Sequence, residues 1–256
     1  MGRFLRESVA VAQIELIKLT RDPTELMSRA AQPVLWLVVF GQVMAHVRGI
    51  YTGGAGYLAF LTPGILAQSV LFSAIFYGIA VIWERDLGVV HKLLVSPASR
   101  SSLVFGKAVS AGFRGLVQAA VIYVIALAMQ VVLRDDPRAI AGVLGSVLLG
   151  SAIFSTFSLV VACVVKTRER FMGIGQLMTM PLFFASNAIY PLELMPRWLR
   201  IIALVNPLTY LVDALRGLML PGVASVRGYG LDFAVLGAVF FVLMAVAVRL
   251  YPSLAE

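Results

Sequence analysis

Residue types that perform catalysis or bind metal ions are scarce in this sequence. It contains two histidines, His46 and His91, and a single cysteine, Cys163. The histidines are far apart, which excludes the zinc-binding pair that a metalloprotease helix places four residues apart. A single cysteine excludes an intrachain disulfide and a cysteine-based metal cluster. We therefore predict no catalytic residue and no metal site, and we predict that the chain is not an enzyme.

Nucleotide hydrolysis through a phosphate-binding loop is excluded as well. That loop requires Ser or Thr directly after a Gly-Lys pair, whereas Gly106-Lys107 is followed by Ala108. Carriers driven by protons or ions usually keep ionisable relay residues at mid-membrane depth. Away from their ends, the apolar segments contain only the charged residue Arg114, which we interpret as reaching the membrane interface near Lys107. We expect no cofactor on this chain, and the energy for any transport must come from elsewhere.

The composition is that of an integral membrane protein. Of 256 residues, 60% are hydrophobic and 13% are charged, with a mean hydropathy of +0.92. Soluble domains have about 45–50% apolar and about 25% charged residues. The surplus apolar surface must face lipid, in several segments of about 20 residues. The net charge of +8 comes from bases at the ends of apolar runs, which favours contact with lipid headgroups and excludes a nucleic-acid surface.

The sequence predicts one all-α transmembrane domain that occupies the whole chain. Residues 1–29 form an amphipathic interfacial helix and a connecting segment, in which Asp22-Pro23 marks the start of a new helix. Six transmembrane helices follow, at residues 30–47, 57–83, 108–133, 139–165, 171–189 and 231–250. With the N-terminus inside, the inside segments carry most of the Lys and Arg residues, so both termini are expected in the cytoplasm of a plasma-membrane protein.

Residues 190–220 can be interpreted in two ways. Residues 201–220 alone are long enough to cross the membrane, which would give seven spans. Asn206-Pro207 interrupts this run, because proline lacks an amide donor and clashes with the preceding turn. Asp213 and Arg216 would each cost a few kcal/mol if they faced lipid. We therefore prefer two half-helices, residues 196–205 and 208–220, that fold back into one leaflet.

Polar residues within the predicted spans are candidates for a substrate pathway. Interhelical hydrogen bonding explains such residues at least as well. Gly142, Ser146 and Gly150 recur every four residues and predict a close-packed helix contact. The pathway candidates are Gln68, Ser69, Ser73, Gln118 and Gln176.

Two segments carry a family resemblance. Residues 84–100 read ERDLGVVHKLLVSPASR and continue to Gly106-Lys107. The second segment contains PLFFAS from Pro181 and NPLTYLVDALRG from Asn206, with Tyr190-Pro191 and an LMP tripeptide between them. Together with the six-span layout, these segments resemble the ABC-2 type permease family of ATP-binding-cassette exporters, especially its daunorubicin-resistance-like branch. The resemblance covers nearly the entire chain.

The resemblance implies a fold like that of type V ABC exporters and a defined assembly. Two permeases, identical or sister subunits, would sit on two copies of a separate ATPase that binds ATP and magnesium. Residues 84–107 would be a cytoplasmic loop whose coupling helix docks on the ATPase. The docking residues that the resemblance implies are Glu84, Arg85, Asp86, His91, Lys92, Leu93 and Leu94.

The resemblance also makes residues 190–220 an extracellular re-entrant gate. Asp213 and Arg216 lie three residues apart on one helix face, a spacing that permits an ion pair. The substrate would be a hydrophobic or amphipathic small molecule, drug-like or lipid, moved out of the cytoplasm or inner leaflet, as in multidrug efflux and antibiotic resistance. The implied gate residues are Asn206, Pro207, Tyr210, Asp213 and Arg216.

Two other classes of function remain open from the sequence. One is a secondary transporter or channel that works without ATP. The other is a membrane scaffold or sensor that uses the permease fold without transport. Flux through liposomes that contain only this chain would favour the first, and the lack of an ATPase partner would favour the second.

Overall fold

The computed structural model describes residues 2–21, 31–46, 56–95, 98–165 and 167–255. These residues form ten α-helices, with 3-10 turns at Leu192–Leu194 and Tyr251–Ala255, and contain no β-strand. The first five helices are α1 Gly2–Arg21, α2 Ala31–Ala45, α3 Tyr57–Asp86, α4 Val89–Val95 and α5 Arg100–Ala128. The others are α6 Pro137–Val164, α7 Arg168–Phe184, α8 Arg197–Val205, α9 Pro207–Met219 and α10 Tyr229–Leu250.

Four helices, α3, α5, α6 and α10, are long and apolar enough to cross a membrane. The pair α8 and α9 would make a fifth span if it were a single segment, but it is bent by 81°. Helix α7 has 17 residues, about 26 Å of helix, and α2 is also below 18 residues. The six predicted spans are therefore not confirmed, since the described parts of two of them fall short of a core of about 30 Å.

Several helix boundaries differ from the predicted spans. Helix α5 begins eight residues before the predicted residue 108, at Arg100, because Ser99 caps it and accepts a hydrogen bond from the Ser102 amide at 3.2 Å. It ends at Ala128, just before Gln130, which has a φ of 59°. The helix start predicted at Asp22-Pro23 lies outside the described residues.

Helices α3, α6 and α10 run in the same direction and α5 runs opposite to them, which gives the bundle two ends. At one end, named the α4 end, Asp86 meets Arg168, and Ser253 Oγ donates to the Cys163 carbonyl at 3.3 Å. At the other end, named the α9 end, Tyr57 Oη donates to the Ile189 carbonyl at 3.1 Å. Helix α3 is the central element, and its apolar side chains form much of the buried core.

Small residues bring the helices into close contact. A Cβ atom on Gly150 would lie 2.6 Å from Leu211 Cδ2, and one on Gly142 would lie 2.7 Å from Leu218 Cδ2. The stripe predicted from Gly142, Ser146 and Gly150 is thus a packing surface on α6, and it holds α9.

The amphipathic N-terminal segment forms α1, which packs along α5. A Cβ atom on Gly106 would lie 2.7 Å from Val11 Cβ, so glycine is what allows the two helices to approach. The rings of Phe4 and Phe105 have centroids 5.6 Å apart. The glycine of the Gly106-Lys107 pair therefore has a packing role.

Candidate functional site

A buried ion pair connects α3 and α5 at the α4 end. Lys107 Nζ lies 2.5 Å from Glu84 Oε2, and both side chains are largely removed from solvent. Burying a single charge is costly, so each of these groups requires the other. Glu84 was predicted as an ATPase contact, but it points into the bundle. The surface of the α4 end does not include it.

Arg114 also lies inside the bundle. Its guanidinium carbon is 4.9 Å from the centre of the Tyr77 ring, and Lys107 Nζ is 5.6 Å from the same ring. Only 6% of Arg114 is exposed. The aromatic face and neighbouring helices cover the cation, which shares the Tyr77 ring with Lys107, and its reach to the membrane interface stays a prediction.

Asp86 links the end of α3 to the start of α7. Its Oδ2 lies 2.6 Å from Arg168 Nη2, and its Oδ1 lies 3.0 Å from Arg85 Nη2. The Arg168 guanidinium also lies over the Trp83 ring, 3.4 Å from its centre. Arg85 and Asp86, two of the predicted docking residues, therefore already make ion pairs within the chain.

Glu7 joins α1 to the start of α5. Its Oε2 accepts hydrogen bonds from the Ser99 amide at 3.1 Å and from Ser102 Oγ at 2.8 Å. A carboxylate at this position also interacts favourably with the helix dipole. Sequence reasoning did not identify Glu7, although its place on an amphipathic helix and the capping Ser99 were visible signals.

Helix α4 leaves an apolar and basic surface exposed. It follows Gly88, whose φ of 71° suits glycine at the joint with α3. Val90 is fully buried and anchors the helix, while Val95 is 87% and Leu87 is 70% exposed. The predicted residues His91 and Lys92 are exposed, Leu93 is half-buried, and the side chain of Leu94 is outside the described set. The exposed residues Leu87, His91, Lys92 and Val95 are named the α4 surface.

Asn206 organises the break between α8 and α9 at the opposite end. Its Nδ2 donates to the carbonyls of Leu182 at 2.7 Å and Ala185 at 2.9 Å. Its Oδ1 accepts from the Leu208 amide at 3.0 Å, which caps α9. Pro207 occupies the first position of that helix, as its missing amide permits.

The irregular segment after α7 is buried against α3. A Cβ atom on Gly64 would lie 2.2 Å from the Ala188 carbonyl oxygen, so the backbone passes directly over this glycine. Side chains supply the missing backbone hydrogen bonds: Arg216 Nη2 donates to the Asn187 carbonyl at 2.7 Å. Non-helical backbone within a membrane protein requires such internal partners.

Asp213 and Arg216 do not form the ion pair that their spacing allows. The Asp213 carboxylate accepts from the amides of Val226 and Arg227, each at 3.1 Å. Arg216 instead lies over the Phe60 ring, 3.9 Å from its centre. Each side chain therefore contacts a different part of the chain.

Tyr210 holds the end of the neighbouring helix. Its Oη donates to the Leu204 carbonyl at 2.7 Å, and Arg227 lies 5.0 Å from its ring centre. Together with Asn206, Asp213 and Arg216, it forms a network of side chain to backbone contacts at the α9 end.

The pathway candidates do not share one surface. Gln68, Ser73 and Gln118 are buried, and Gln176 is exposed on α7. Ser69 is also buried, and its Oγ donates to the Ile65 carbonyl of its own helix at 2.9 Å. Four of the five candidates therefore lie within the bundle and one lies on its outside.

Comparison with known proteins gives one family and several relatives. The family model described as ABC-2 type transporter matches residues 6–220. The putative transport permease ycf38 of Cyanophora paradoxa is 31% identical over 215 residues, covering 83% of this chain and 74% of that protein. The probable multidrug ABC transporter permease YbhR of Escherichia coli K12 is 28% identical over 174 residues, covering 65% and 45%. The probable doxorubicin resistance ABC transporter permease protein DrrC of Mycobacterium tuberculosis H37Rv is 24% identical over 226 residues, covering 86% and 79%.

Proposed function

This chain belongs to the ABC-2 type transporter family, and we propose that it is the permease subunit of an ATP-binding-cassette exporter. Its relatives are transport permeases rather than enzymes, and ATP hydrolysis lies on a partner subunit. The apolar helices and the family make it a multi-pass membrane protein. We place it in the plasma membrane with both termini in the cytoplasm, because of the distribution of its bases.

The proposed assembly contains two ATPase subunits and a second permease, which is a copy of this chain or a sister subunit. ATP and magnesium bind to the ATPases. The observation that carries the proposal is the family match over residues 6–220, which includes the helices of both ends of the bundle.

The proposed docking site for the ATPase is the α4 surface. Leu87 and Val95 expose large apolar side chains, and the polar side chains of His91 and Lys92, which lie between them in the sequence, are exposed as well. An exposed apolar patch with a polar rim is typical of a protein interface. Arg85 and Asp86 lie at its edge, whereas Glu84 is withdrawn into the bundle.

Movement of α4 would be transmitted to the long helices. Val90 anchors α4 in the apolar cluster that includes Tyr77 on α3 and Leu103 on α5. The Glu84–Lys107 pair fixes the same two helices to each other. Nucleotide binding that closes the ATPase pair would therefore shift α3 and α5 together and change the access of the permease dimer.

The proposed substrate is hydrophobic or amphipathic, either a drug-like molecule or a lipid, and is moved outward. Two relatives are described as a multidrug permease and a doxorubicin resistance permease, which supports the drug-export branch. Asn206, Pro207, Tyr210, Asp213 and Arg216 would form the outer gate.

A substitution on the α4 surface tests the docking site. Val95→Asp places a charge at the most exposed apolar side chain of that surface and leaves the anchor Val90 untouched, so we expect the ATPase to be lost on affinity purification from the native membrane. This variant is a sharper test than aspartate at Leu93, which packs partly against the buried cluster and would disturb folding. Val132→Asp is the matched control, because Val132 is 70% exposed and lies after the far end of α5.

The docking site would be refuted if the Val95→Asp variant purified with as much ATPase as the wild type. ATP-independent flux through liposomes containing only this chain would refute the exporter proposal itself and indicate a secondary transporter or channel.

A further inference from the structure

A cavity of about 480 Å³ lies at the α9 end. Its polar lining includes Asn187, Arg216 and Arg227, and its apolar lining includes Phe60, Leu192 and Val226. The lining residues come from four separate parts of the chain: α3, the segment between α7 and α8, α9, and the loop before α10. The cavity is not required for ATPase docking and does not depend on the direction of transport.

Buried polar atoms in this lining have no hydrogen-bond partner among the described residues. They are Nε of Arg216, Oδ1 of Asn187 and Nη1 of Arg227. Arg216 is only 7% exposed and Asn187 only 3%. The nearest carboxylate oxygen to Arg227 Nη1 belongs to Asp213 and is 4.0 Å away, which is too far for a hydrogen bond. Native proteins rarely leave several such atoms unpaired around one cavity.

The orientation of Arg216 is fixed by groups other than a carboxylate. Its Nη2 donates to the Asn187 carbonyl at 2.7 Å, and its guanidinium lies over the Phe60 ring. These contacts hold the side chain in place while Nε stays unpaired. A fixed guanidinium with an unused N–H group is suited to binding an anionic oxygen.

The charges around the cavity are unequal. Two guanidinium groups, of Arg216 and Arg227, line it together with one carboxylate, that of Glu193, which belongs to an exposed residue. The nearby Asp213 carboxylate is already engaged by two loop amides and Ser225 Oγ. Asp232 accepts from Ser225 Oγ at 2.6 Å and does not line the cavity.

We propose that this cavity binds the anionic head group of an amphiphile. The guanidinium groups of Arg216 and Arg227 would hold the phosphate or carboxylate oxygens. The side chains of Phe60, Leu192 and Val226 would contact the first part of the apolar chain. Such a ligand would accept hydrogen bonds from the unpaired Nε of Arg216 and Nη1 of Arg227, whereas a cation could not.

Binding of short-chain lipids to the purified full-length chain in neutral detergent tests this site. Titration calorimetry would compare a short-chain phosphatidylglycerol, the phosphatidylcholine of equal chain length and inorganic phosphate. We expect phosphatidylglycerol to bind most tightly. Arg227→Gln should weaken its binding by about tenfold, the equivalent of one charge-assisted hydrogen bond.

Two further variants test the direction of the charge effect and provide a control. Glu193→Gln removes the one carboxylate of the lining, so it should strengthen phosphatidylglycerol binding. Arg200→Gln removes an exposed arginine of α8 that does not line the cavity, so it should leave binding unchanged. Thermal unfolding of each variant would verify that it is folded, and Glu193→Gln alone would carry the test if Arg227→Gln does not fold.

Several results would overturn the proposal. Weaker phosphatidylglycerol binding to Glu193→Gln would show that the negative charge of Glu193 does not oppose this lipid and that the site is not one for an anionic head group. Inorganic phosphate that binds as tightly as phosphatidylglycerol would indicate a site for free anions. Equal loss of affinity in Arg227→Gln and Arg200→Gln would show that general surface charge, and not this cavity, attracts the lipid.

Discussion

The two ends of the bundle satisfy their polar groups differently. At the α4 end, charged side chains pair with charged side chains, as in Glu84 with Lys107 and Asp86 with Arg168. At the α9 end, polar side chains pair mainly with backbone groups, as Asn206 does with the carbonyls of Leu182 and Ala185. The first arrangement connects regular helices to one another, and the second supports backbone that is not helical.

This difference suggests different mechanical roles. An intact pair of charged side chains on two helices makes those helices move together. The pair can also break, which allows the helices to move apart. Side chains bonded to backbone fix the path of the chain itself, and their loss exposes groups that have no other partner. We therefore expect the α4 end to transmit movement and the α9 end to maintain a shape.

The largest effect is expected from breaking the buried ion pair. Lys107→Met leaves the Glu84 carboxylate without its partner in a buried place, which should lower the free energy of unfolding by about 3–5 kcal/mol. Chemical denaturation in mixed micelles, followed by circular dichroism, would measure it.

The double variant Glu84→Leu with Lys107→Met separates charge burial from packing. We expect it to recover most of the lost stability, because apolar replacements for a buried ion pair are often neutral. If the double variant is less stable than Lys107→Met alone, the pair is not what fixes α3 to α5.

A smaller but still large effect is expected from Asn206→Ala at the other end. The change removes the cap of α9 and leaves the carbonyls of Leu182 and Ala185 without the Asn206 donor, so the loss should be roughly 3 kcal/mol. Asn206→Ser keeps a side-chain oxygen that can cap α9 but lacks the amide group that reaches the two carbonyls. We expect it to be of intermediate stability in the same denaturation experiment.

Equal stability of Asn206→Ala and Asn206→Ser would mean that the cap contributes nothing. Stability close to wild type in both variants would contradict the view that backbone contacts hold the α9 end.

Local sequence signals predicted part of this architecture well. Asn206-Pro207 predicted a helix break because proline lacks an amide donor, and α8 and α9 meet there at 81°. The stripe of Gly142, Ser146 and Gly150 predicted a close helix contact, and α9 occupies it. These features depend on neighbours in the sequence or on helical spacing alone.

Features that depend on distant partners were not predictable in the same way. The direction of Glu84 depends on the rotation of α3 against α5, and that of Arg114 depends on the position of the Tyr77 ring. Asp213 was paired with Arg216 because of their spacing, whereas its true partners are amides of the loop before α10. Helical spacing shows which side chains share a face, but it does not show which other element covers that face.

The smallest effect is expected at the contact between α1 and α5. Glu7→Gln retains an acceptor oxygen near Ser99 and Ser102 but removes the negative charge at the helix N-terminus, which should cost about 1 kcal/mol. Amide hydrogen exchange should become faster in α1 and in the first turn of α5 while the rest of the bundle is unaffected.

Glu169→Gln is the matched control for this change. Glu169 is an exposed carboxylate in the first turn of α7, so its replacement alters the same kind of helix-dipole interaction. We expect exchange to increase only within α7 for this variant and not in a second helix. If Glu7→Gln likewise affects only the first turn of α5 and leaves α1 unchanged, then Glu7 serves as a local cap. In that case α1 is held on α5 by contacts such as those at Gly106 and between Phe4 and Phe105, and the α4 end has one fewer charged connection between helices than the structure indicates.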